Sequence, residues 1–442
     1  MKIPTYVINL KERLDRKENI IKEFCGRDEF DVNIIEAHKH RIGAVGLWDN
    51  INKIVQEAKD NKYEYILICE DDHEFTADYS KDVLYNSIQE AIKHGADILC
   101  GGVSCLNNAM QIVNNLFWVE KFTGFQFTII FRKFFLPLLR CDFSEFDAAD
   151  IKISELSMNK FFTYPFISLQ KDYGYSDVTV KNNDEGRVEE LFNRSIERVK
   201  ILIQITEYFK SMMNVGTNHK FDNIDNISIP TYVINLPERI ERRKHIETQF
   251  NGREEFDVNI IEACKDKIGA VGLWKSIRKI IQIAVDNNDD VIIICEDDHQ
   301  FTESYSKHDF INAVIMASEL HAEMLIGGVV DAKLMIPITS TMCWISEFWA
   351  SQFLVLYKNM FNKILTEEFD GSVTADDKLS GLTGNKILLY PFISIQKEFG
   401  YSDISPEFDT LRTITIANEE KFKMAENRIK NIYSIKNQLE KI

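Results

Sequence analysis

The sequence predicts an α/β fold in two tandem domains, each with a mostly parallel sheet that carries helices on both faces. Two observations lead to this prediction. Strand-like apolar runs alternate with helical stretches, which is the pattern of βαβ units, and the whole pattern returns after 226 positions. A period of this length indicates a duplicated domain, because solenoid repeats span only about 20 to 50 residues.

The duplication shows in five pairs of segments that keep their order and their spacing. The pairs are 3–10 with 229–236, 30–37 with 256–263, 42–48 with 268–274, 69–73 with 295–299, and 164–168 with 390–394. The polar stretch between the copies is typical of a linker. It predicts domains at 1–214 and 227–442, joined by a linker at 215–226.

The elements of the first copy follow from hydrophobic periodicity. In chain order the sequence predicts a strand at 5–9, a helix at 12–24, a strand at 32–37, a helix at 47–60, a strand at 65–69, a helix at 80–94 and a strand at 98–103. Each copy closes with a helix, at 188–213 or 418–442. The apolar stripe of these closing helices predicts core packing, with dimerisation through them as the alternative.

The composition excludes several classes of protein. With 45% hydrophobic and 27% charged residues among 442, the chain is neither disordered nor collagen-like. Its formal charge of −17 argues against nucleic acid as a partner, since backbone binding depends on clustered Lys and Arg. The longest apolar runs are far shorter than the roughly 20 residues of a membrane helix, and the N-terminus lacks a signal-peptide pattern.

The eight cysteines show no CxxC spacing. Cys69 and Cys295 each end an apolar strand, where a small thiol packs as part of the core. A chain with this much core-forming material needs no disulfide framework. We therefore predict a soluble, cytoplasmic protein.

The strongest chemical feature is an acidic triplet that directly follows a buried strand in each copy. Glu70, Asp71 and Asp72 form the first triplet, and Glu296, Asp297 and Asp298 form the second. Adjacent carboxylates repel one another, and burial increases that cost. A divalent cation such as Mn²⁺ or Mg²⁺ relieves both, because hard oxygen ligands suit these ions. A solvated acidic turn is the alternative, which the second copy disfavours.

His73 and His299 follow the two triplets directly. Adjacent side chains of a strand point to opposite faces, so we expect a structural role for both histidines rather than metal ligation.

A carboxylate late in each copy, Asp150 or Asp376, is a candidate general base for an acceptor hydroxyl. The alternative is a helix cap or a surface residue. Early in each copy, Arg13 and Arg16 correspond to Arg239 and Arg242, just after the first strand. Arginines at a helix N-terminus are suited to a diphosphate group, although a solvated charged face is equally consistent with the pattern.

Together these residues resemble glycosyltransferase family 25, which holds lipooligosaccharide and collagen galactosyltransferases. The resemblance extends over nearly all of each copy, and it depends on the order and spacing of its parts rather than on any one of them. The parts are the 6–10 strand, Arg13, Arg16, the 68–72 segment, Gly101, Gly102, the 123–127 segment, Pro165, Gln170, Ser176 and Asp177.

The resemblance implies a GT-A-type, Rossmann-like fold, a nucleotide-sugar donor such as a UDP-sugar, Mn²⁺ as the usual metal, and inversion at the anomeric carbon. By this resemblance Glu70 and Asp72 ligate the metal in the first copy, and Glu296 and Asp298 do so in the second. Asp150 and Asp376 are the corresponding bases. Donor binding falls to Asn9, Arg13, Arg16, Glu70 and Asp71, and to their equivalents Asn235, Arg239, Arg242, Glu296 and Asp297.

The sequence departs from the family in two places. The family's Ser-His pair in the helix after its conserved glycine is missing at 43–48, and 349–352 differs from 123–126. The leading hypothesis is therefore two glycosyltransferase domains that act on a glycan or polypeptide, with one active and one degenerate domain as the alternative. A nucleotidyltransferase also needs an acidic strand end, but its usual Gly-rich phosphate loop is absent from the N-terminal region.

Overall fold

The computed structural model describes residues 2–174, 184, 186–214, 226–399 and 418–441. The chain divides into two compact units, Met1–Gln204 with Lys436–Ile442, and Ile205–Ile435. Residues 215–225 of the predicted linker lie outside the described residues, as do Ser176 and Asp177. The predicted domain boundaries stay a prediction.

Over residues 3–100 the first repeat largely alternates strands and helices, as its sequence predicts, and five further strands follow before the next helix. Its elements are β1 (Ile3–Asn9), α1 (Leu14–Phe24), β2 (Phe30–Glu36), α2 (Gly43–Asp60), β3 (Tyr65–Glu70), β4 (His73–Phe75), α3 (Lys81–Lys93), β5 (Ile98–Cys100), β6 (Cys105–Leu106), β7 (Ala109–Val113), β8 (Leu116–Val119), β9 (Phe122–Thr123), β10 (Phe127–Phe131), α4 (Arg132–Leu139), α5 (Ala149–Leu156), β11 (Lys160–Thr163), β12 (Ser168–Gln170) and α6 (Arg187–Asn214).

Eight of these strands form one sheet in the order β2-β1-β3-β10-β5-β11-β8-β7. β1 pairs in parallel with β2 and β3, and β5 pairs in parallel with β11. β10 is antiparallel to both of its neighbours, and β8 is antiparallel to β11 and β7. All strands except β10 and β8 therefore run in one direction, which confirms the mostly parallel sheet.

The centre of the sheet is apolar on both of its faces. Ile66, Leu67, Ile68 and Cys69 of β3 are all completely buried. A strand that is covered on both faces reads as a continuous apolar run rather than an alternating one, which is why the sequence signal here was clear. The apolar run of β3 ends at Glu70, so the acidic triplet begins at the carboxyl end of this strand.

The large sheet of the second repeat reproduces that of the first strand for strand. Its elements are β13 (Ile229–Asn235), α7 (Ile240–Phe250), β14 (Phe256–Glu262), α8 (Gly269–Asn287), β15 (Val291–Glu296), β16 (His299–Phe301), α9 (Lys307–Glu319), β17 (Met324–Ile326), β18 (Asp331–Pro337), β19 (Met342–Trp349), β20 (Phe353–Tyr357), α10 (Lys358–Thr366), α11 (Ala375–Gly381), β21 (Lys386–Leu389), β22 (Ser394–Gln396) and α12 (Asn418–Leu439). Its large sheet has the order β14-β13-β15-β20-β17-β21-β19-β18.

The longer, N-terminal part of each closing helix, 187–204 of α6 and 418–435 of α12, belongs to the compact unit of its own repeat. On α6, Phe192 is buried, and Ser195 donates a hydrogen bond to the carbonyl of Ser104 at 2.9 Å. On α12, Phe422 is buried, and Tyr433 donates to the carbonyl of Met342 at 2.7 Å. Core packing is therefore the role that these contacts show, and dimerisation through the same helices stays a prediction.

The eight cysteines are free thiols, and Cys69 and Cys295 are fully buried, as predicted. Across the ranges that the structure describes, the helices are all too short or too polar to cross a membrane.

A buried lysine begins the same strand in both repeats. Lys160 is 1% exposed, and its Nζ donates to the carbonyl of Ser157 just after α5 at 2.5 Å. Lys386 is 2% exposed, and it donates to the carbonyl of Ser380 in α11 at 2.8 Å. Burial lowers the pKa of each ammonium to about 8. The partial negative charge of a helix C-terminus offsets part of that cost.

This burial predicts a pH dependence of stability. Between pH 8 and 10.5 the unfolded chain binds more protons at Lys160 than the folded chain does, so this lysine makes stability rise with pH. In Lys160→Met the contribution disappears. The unfolding free energy of the wild type, relative to that of the variant, should therefore rise by about 2–3 kcal/mol across this window. Urea unfolding at several pH values measures it, and exposed Lys81→Met is the control. Parallel profiles for Lys160→Met and wild type would contradict the prediction.

Candidate active site

The acidic triplet of the first repeat lies where β1 and β3 end side by side. The parallel register pairs Ile8 with Glu70, so Asn9 and Asp71 both follow at the carboxyl edge of the sheet. Asn9 Nδ2 donates to Asp71 Oδ2 at 2.8 Å. Ligand sites of open α/β sheets form at this edge, because the strands end there and the loops leave room.

Arg16 supplies the positive charge that the triplet needs. It lies in the first turns of α1 with its side chain 4% exposed, and its Nη1 contacts Asp71 Oδ1 at 3.1 Å and Asp72 Oδ2 at 2.9 Å. One guanidinium thus bridges two buried carboxylates. The guanidinium carbon of Arg16 lies over the ring of Tyr173, 4.6 Å from the ring centroid.

Two further residues complete this network. Arg13 Nη1 lies 3.6 Å from Asp71 Oδ1, on a side chain that is 14% exposed. Gln170 Nε2 donates to Asp72 Oδ2 at 2.9 Å, from the end of β12. Gln170 belonged to the resemblance but was not among the expected site residues, and its equivalent Gln396 in the repeat was the available signal.

The triplet still carries more negative charge than these partners neutralise. Burial is the main cause that raises the pKa of Glu70 well above its ordinary value, and the neighbouring Asp72 and Asp150 add to it. Burial also raises the pKa of Asp72, against the opposing effect of Arg16. Carboxylates in this state bind a cation readily, because its charge removes the penalty.

One carboxylate oxygen in each repeat is available for that purpose. Asp72 Oδ1 and Asp298 Oδ1 are buried and have no hydrogen-bond partner among the described residues. Asp71 differs, because Asn9 and Arg16 already occupy both of its oxygens. Among the described residues no three Asp, Glu, His or Cys side chains are grouped to hold a metal. Mg²⁺ usually takes only one or two protein carboxylates and completes its shell with substrate and water, so metal binding by Glu70 and Asp72 stays a prediction.

Asp150 stands in the first turn of α5 and lines the same cavity as the triplet. Its Oδ2 accepts a hydrogen bond from the backbone N–H of Gly124 at 2.8 Å, and its Oδ1 accepts from Ile151 at 2.8 Å. The carboxylate therefore fixes the turn at Gly124, whose φ is +102°. The N-cap of α5 is Ala148 and not Asp150, and the role of Asp150 as a general base stays a prediction.

The second repeat keeps the asparagine, arginine and late-aspartate contacts of this network with nearly the same distances, whereas no hydrogen bond from Gln396 to Asp298 is seen among the described residues. Asn235 Nδ2 donates to Asp297 Oδ2 at 2.9 Å, and Arg242 Nη1 contacts Asp297 and Asp298 at 3.0 Å each. Arg239 lies 3.8 Å from Asp297. Asp376 Oδ2 accepts from the N–H of Ala350 at 2.9 Å.

Two differences separate the turns of the two repeats. Ala350 has φ of +105° where the first repeat has Gly124, a conformation that is strained for any residue with a Cβ. Ser351 Oγ donates to Glu296 Oε1 at 2.7 Å, whereas the aligned Phe125 has no hydroxyl. Burial raises the pKa of Glu296 to about 8 despite that hydrogen bond.

His73 has a structural environment, as expected. It is fully buried, its Nδ1 lies 2.8 Å from Ser168 Oγ, and its ring contacts Phe75 edge-on at 4.3 Å. Burial lowers its pKa to about 3, so the imidazole is neutral. His299 has the same contacts with Ser394 and Phe301.

A cavity of about 700 Å³ in the first repeat brings most of these residues together. Arg13, Arg16, the triplet and Asp150 line it, and Asn9 is hydrogen-bonded to Asp71. The cavity is also lined by the loop 38–41, His38-Lys39-His40-Arg41. Sequence reasoning missed this loop, because the search relied on residues that the two copies share and the copies differ here.

Comparison with known proteins leaves the family open. No protein-family profile matches the chain, and no curated protein matches it in sequence. The resemblance to glycosyltransferase family 25 is therefore not confirmed and stays a prediction.

Solved structures give distant similarities. A197 from STIV matches with 15% identity and a TM-score of 0.27, over 37% of this chain and 81% of that chain. An apo UDP-glucose pyrophosphorylase matches with 8% identity and a TM-score of 0.27, over 44% and 82%. A glycosyltransferase involved in the glycosylation of the major capsid of PBCV-1 matches with 10% identity and a TM-score of 0.20, over 31% and 64%. At these values the similarities carry no argument about function, which depends on the site itself.

Proposed function

We propose that each repeat is a metal-dependent glycosyltransferase that moves a sugar from a UDP-sugar to a hydroxyl of a glycan or polypeptide, with inversion at the anomeric carbon. The observation that carries this proposal is the buried, unpartnered carboxylate oxygen of Asp72, in one cavity with Glu70, Arg13 and Asp150. Asp298 repeats it in the second half. The cavity thus combines two carboxylates for a divalent cation, an arginine for the phosphate groups, and a separate carboxylate for the acceptor.

Each residue has a distinct part in this proposal. Glu70 and Asp72 would hold Mn²⁺ or Mg²⁺, which neutralises the charge of a departing nucleoside diphosphate. Arg13, the more exposed of the two arginines, binds the diphosphate. Asn9 and Arg16 position Asp71 and Asp72 by the hydrogen bonds described above.

Asp150 is the proposed base. Its carboxylate takes the proton of the acceptor hydroxyl while that oxygen attacks the anomeric carbon, and the bond from this carbon to the diphosphate breaks. The N–H groups of Gly124 and Ile151 orient the carboxylate. A carboxylate accepts about four hydrogen bonds, so these two leave capacity for the acceptor.

The alternative is one active repeat beside a degenerate one that binds acceptor or has a structural role. The conserved contacts of Asn235, Arg242 and Asp376 support two active repeats. Two features favour a less active second repeat. They are the strained backbone of Ala350 and the hydrogen bond that Ser351 donates to Glu296.

The test is hydrolysis and transfer from a panel of UDP-sugars by the whole chain, with Mn²⁺ and then with EDTA. We expect UDP release that EDTA abolishes. Asp72→Asn and Asp298→Asn should each remove the share of one repeat, and the double variant should fall at least about a hundredfold, as for loss of a group that stabilises the transition state. Asp78→Asn, an exposed carboxylate of the first repeat, is the matched control.

Two results would contradict this function. Turnover that survives in the double variant would show that the proposed metal site has no part in the mechanism. Release of pyrophosphate instead of UDP would indicate nucleotidyl transfer. Loss of turnover with only one of the single variants would establish the alternative with one active repeat.

A further inference from the structure

The loop before α5 carries the most exposed large apolar side chain of the described residues. Phe146 is 91% exposed, and every other large apolar side chain within the described ranges is 65% exposed or less. Single exposed apolar residues are common on protein surfaces, so exposure alone assigns no role to this ring. What distinguishes Phe146 is its place beside the candidate active site.

Phe146 lies at the rim of the cavity that holds the acidic triplet. Its neighbour Glu145 has Oε2 3.9 Å from Nη2 of Arg41, and Arg41 lines that cavity. On the other side of the ring along the chain, Ala148 lines the cavity as well. The partly exposed Ile151 of α5 also lines it, next to the proposed base. The ring therefore lies on the side of the cavity where the acceptor has to enter.

The backbone of this loop is fixed although the ring is exposed. The ring of Phe143 stacks on Trp48 of α2, with centroids 4.5 Å apart and planes 10° apart. Ser144 donates to Asp147 Oδ2 twice, from its N–H at 2.7 Å and from its hydroxyl at 2.8 Å. The N–H of Phe146 donates to the hydroxyl of Ser144 at 3.4 Å. A ring on a support of this kind binds a ligand with little ordering of the backbone.

The groups that this loop presents match the chemistry of a sugar. A pyranose has C–H groups on the faces of its ring, and their weak positive charge suits the negative face of an aromatic ring. Its hydroxyls donate hydrogen bonds, which carboxylates accept. Phe146 supplies such a face, and the adjacent Glu145 supplies a carboxylate whose exposed pair with Arg41 is worth little. A sugar can therefore cover the ring and donate to Glu145 at small cost.

A polypeptide is less suited to this loop. Extended peptides bind largely through main-chain hydrogen bonds, which need N–H donors for their carbonyl groups. The N–H groups of Ser144, Phe146 and Asp147 are all used within the loop. A second copy of the chain is also disfavoured, because its net charge is −17 and the segment 142–147 itself contains three carboxylates.

The second repeat keeps the anchor of this loop without the exposed ring. Phe369 packs on Trp274, with ring centroids 5.2 Å apart. Ser372 occupies the position of Phe146, 226 residues later in the chain. Val373 is exposed beside it, but an aliphatic side chain has no aromatic face. The ring is therefore a property of the first repeat and not a requirement of the fold.

We infer that the acceptor of the first repeat is a glycan and that Phe146 forms part of its binding site. A sugar ring of the acceptor stacks on Phe146 while a hydroxyl of the same glycan reaches Asp150. This inference rests on the proposed function, which leaves open whether the acceptor is a glycan or a polypeptide. Phe146 sets the affinity for the acceptor and takes no part in donor binding. The second repeat, which lacks the ring, binds its acceptor through other contacts.

The experiment measures binding and turnover separately in whole chains that carry Asp298→Asn, so that only the first repeat turns over. Saturation-transfer NMR, with irradiation of the aromatic resonances, follows the binding of methyl β-glucoside, methyl β-galactoside, cellobiose and lactose. UDP release gives the KM of each sugar and of the UDP-sugar. Peptides that contain Ser, Thr and Lys form the second arm.

Phe146→Ser copies the second repeat and should raise the Kd and KM of the sugars that bind by about threefold to tenfold, the effect of one aromatic contact. The KM of the UDP-sugar, and its hydrolysis without acceptor, should stay unchanged. Phe146→Trp should retain the affinity, because it restores an aromatic face. Ile92→Ser, which removes an exposed apolar side chain from α3, is the matched control and should change none of these values.

Three results would overturn the inference. They are equal sugar binding by wild type and Phe146→Ser, no saturable binding of any of the four sugars, and a loss in Phe146→Ser that concerns the peptides instead of the sugars. Each can occur while UDP-sugar is still hydrolysed, so the proposed function would stand. Sugar binding that depends on Phe146 in a chain that releases no UDP would contradict the proposed function alone.

Discussion

Replacing Arg16 by methionine is expected to destabilise the first repeat by about 3–5 kcal/mol, the usual cost of removing one partner from a buried ion pair. Arg16 contacts both Asp71 and Asp72, and all three side chains are at least nine-tenths buried. Without the guanidinium, two adjacent carboxylates would remain buried beside Glu70, whose pKa burial already raises.

Hydrogen exchange with mass spectrometry measures this effect, because peptides from each repeat can be followed separately in the whole chain. Peptides of β1 and β3 should lose protection in Arg16→Met, while those of β13 and β15 should not, and Arg242→Met should give the reverse. Exposed Arg140→Met is the control.

A double-mutant cycle identifies the cause. Adding Asp71→Asn to Arg16→Met removes one of the uncompensated charges, so the double variant should recover at least about 1 kcal/mol of the loss. Equal protection in Arg16→Met and Arg140→Met would show that the ion pair does not stabilise the repeat.

Replacing Gly102 by alanine is expected to cost about 3 kcal/mol, at the upper end of overpacking effects. A Cβ on Gly102 would lie 2.2 Å from the carbonyl oxygen of Ser168, and one on Gly328 would lie 2.1 Å from that of Ser394. Both obstacles are backbone atoms, which cannot move aside as a side chain can. The shift would also reach Gln170, two residues beyond Ser168, and so the contact with Asp72.

Denaturant unfolding of Gly102→Ala and Gly328→Ala measures this cost. Gly384→Ala is the matched control, because a Cβ there meets nothing within 4 Å. The prediction would be wrong if Gly102→Ala were as stable as Gly384→Ala, since the strand that carries Ser168 would then have room to move.

The resemblance between the two copies made much of the fold predictable. The strand at 65–69 and the helix at 80–94 differ from β3 and α3 by one residue at each end or less, because apolar runs and capping residues define them locally. The hairpin of β7 and β8 and the reversal of β10 were not predicted. Strand direction and pairing depend on contacts between distant residues, and no local pattern records them.

The candidate site, like the fold, could be predicted only in part from the sequence. The acidic triplets and Asp150 were found from sequence because they recur at a fixed spacing. The loop 38–41 was not found, since only the fold brings it to the cavity.

By itself, the sequence determined that this chain is a duplicated α/β protein with an acidic strand end in each copy, because periodicity and repetition are properties of the chain alone. Only the tertiary structure decided how that charge is balanced. It placed Arg16 between Asp71 and Asp72, left Asp72 Oδ1 without a partner among the described residues, and used Asp150 to hold Gly124. These outcomes depend on which groups folding brings within a few ångströms while excluding water, and that is set by packing across the whole repeat.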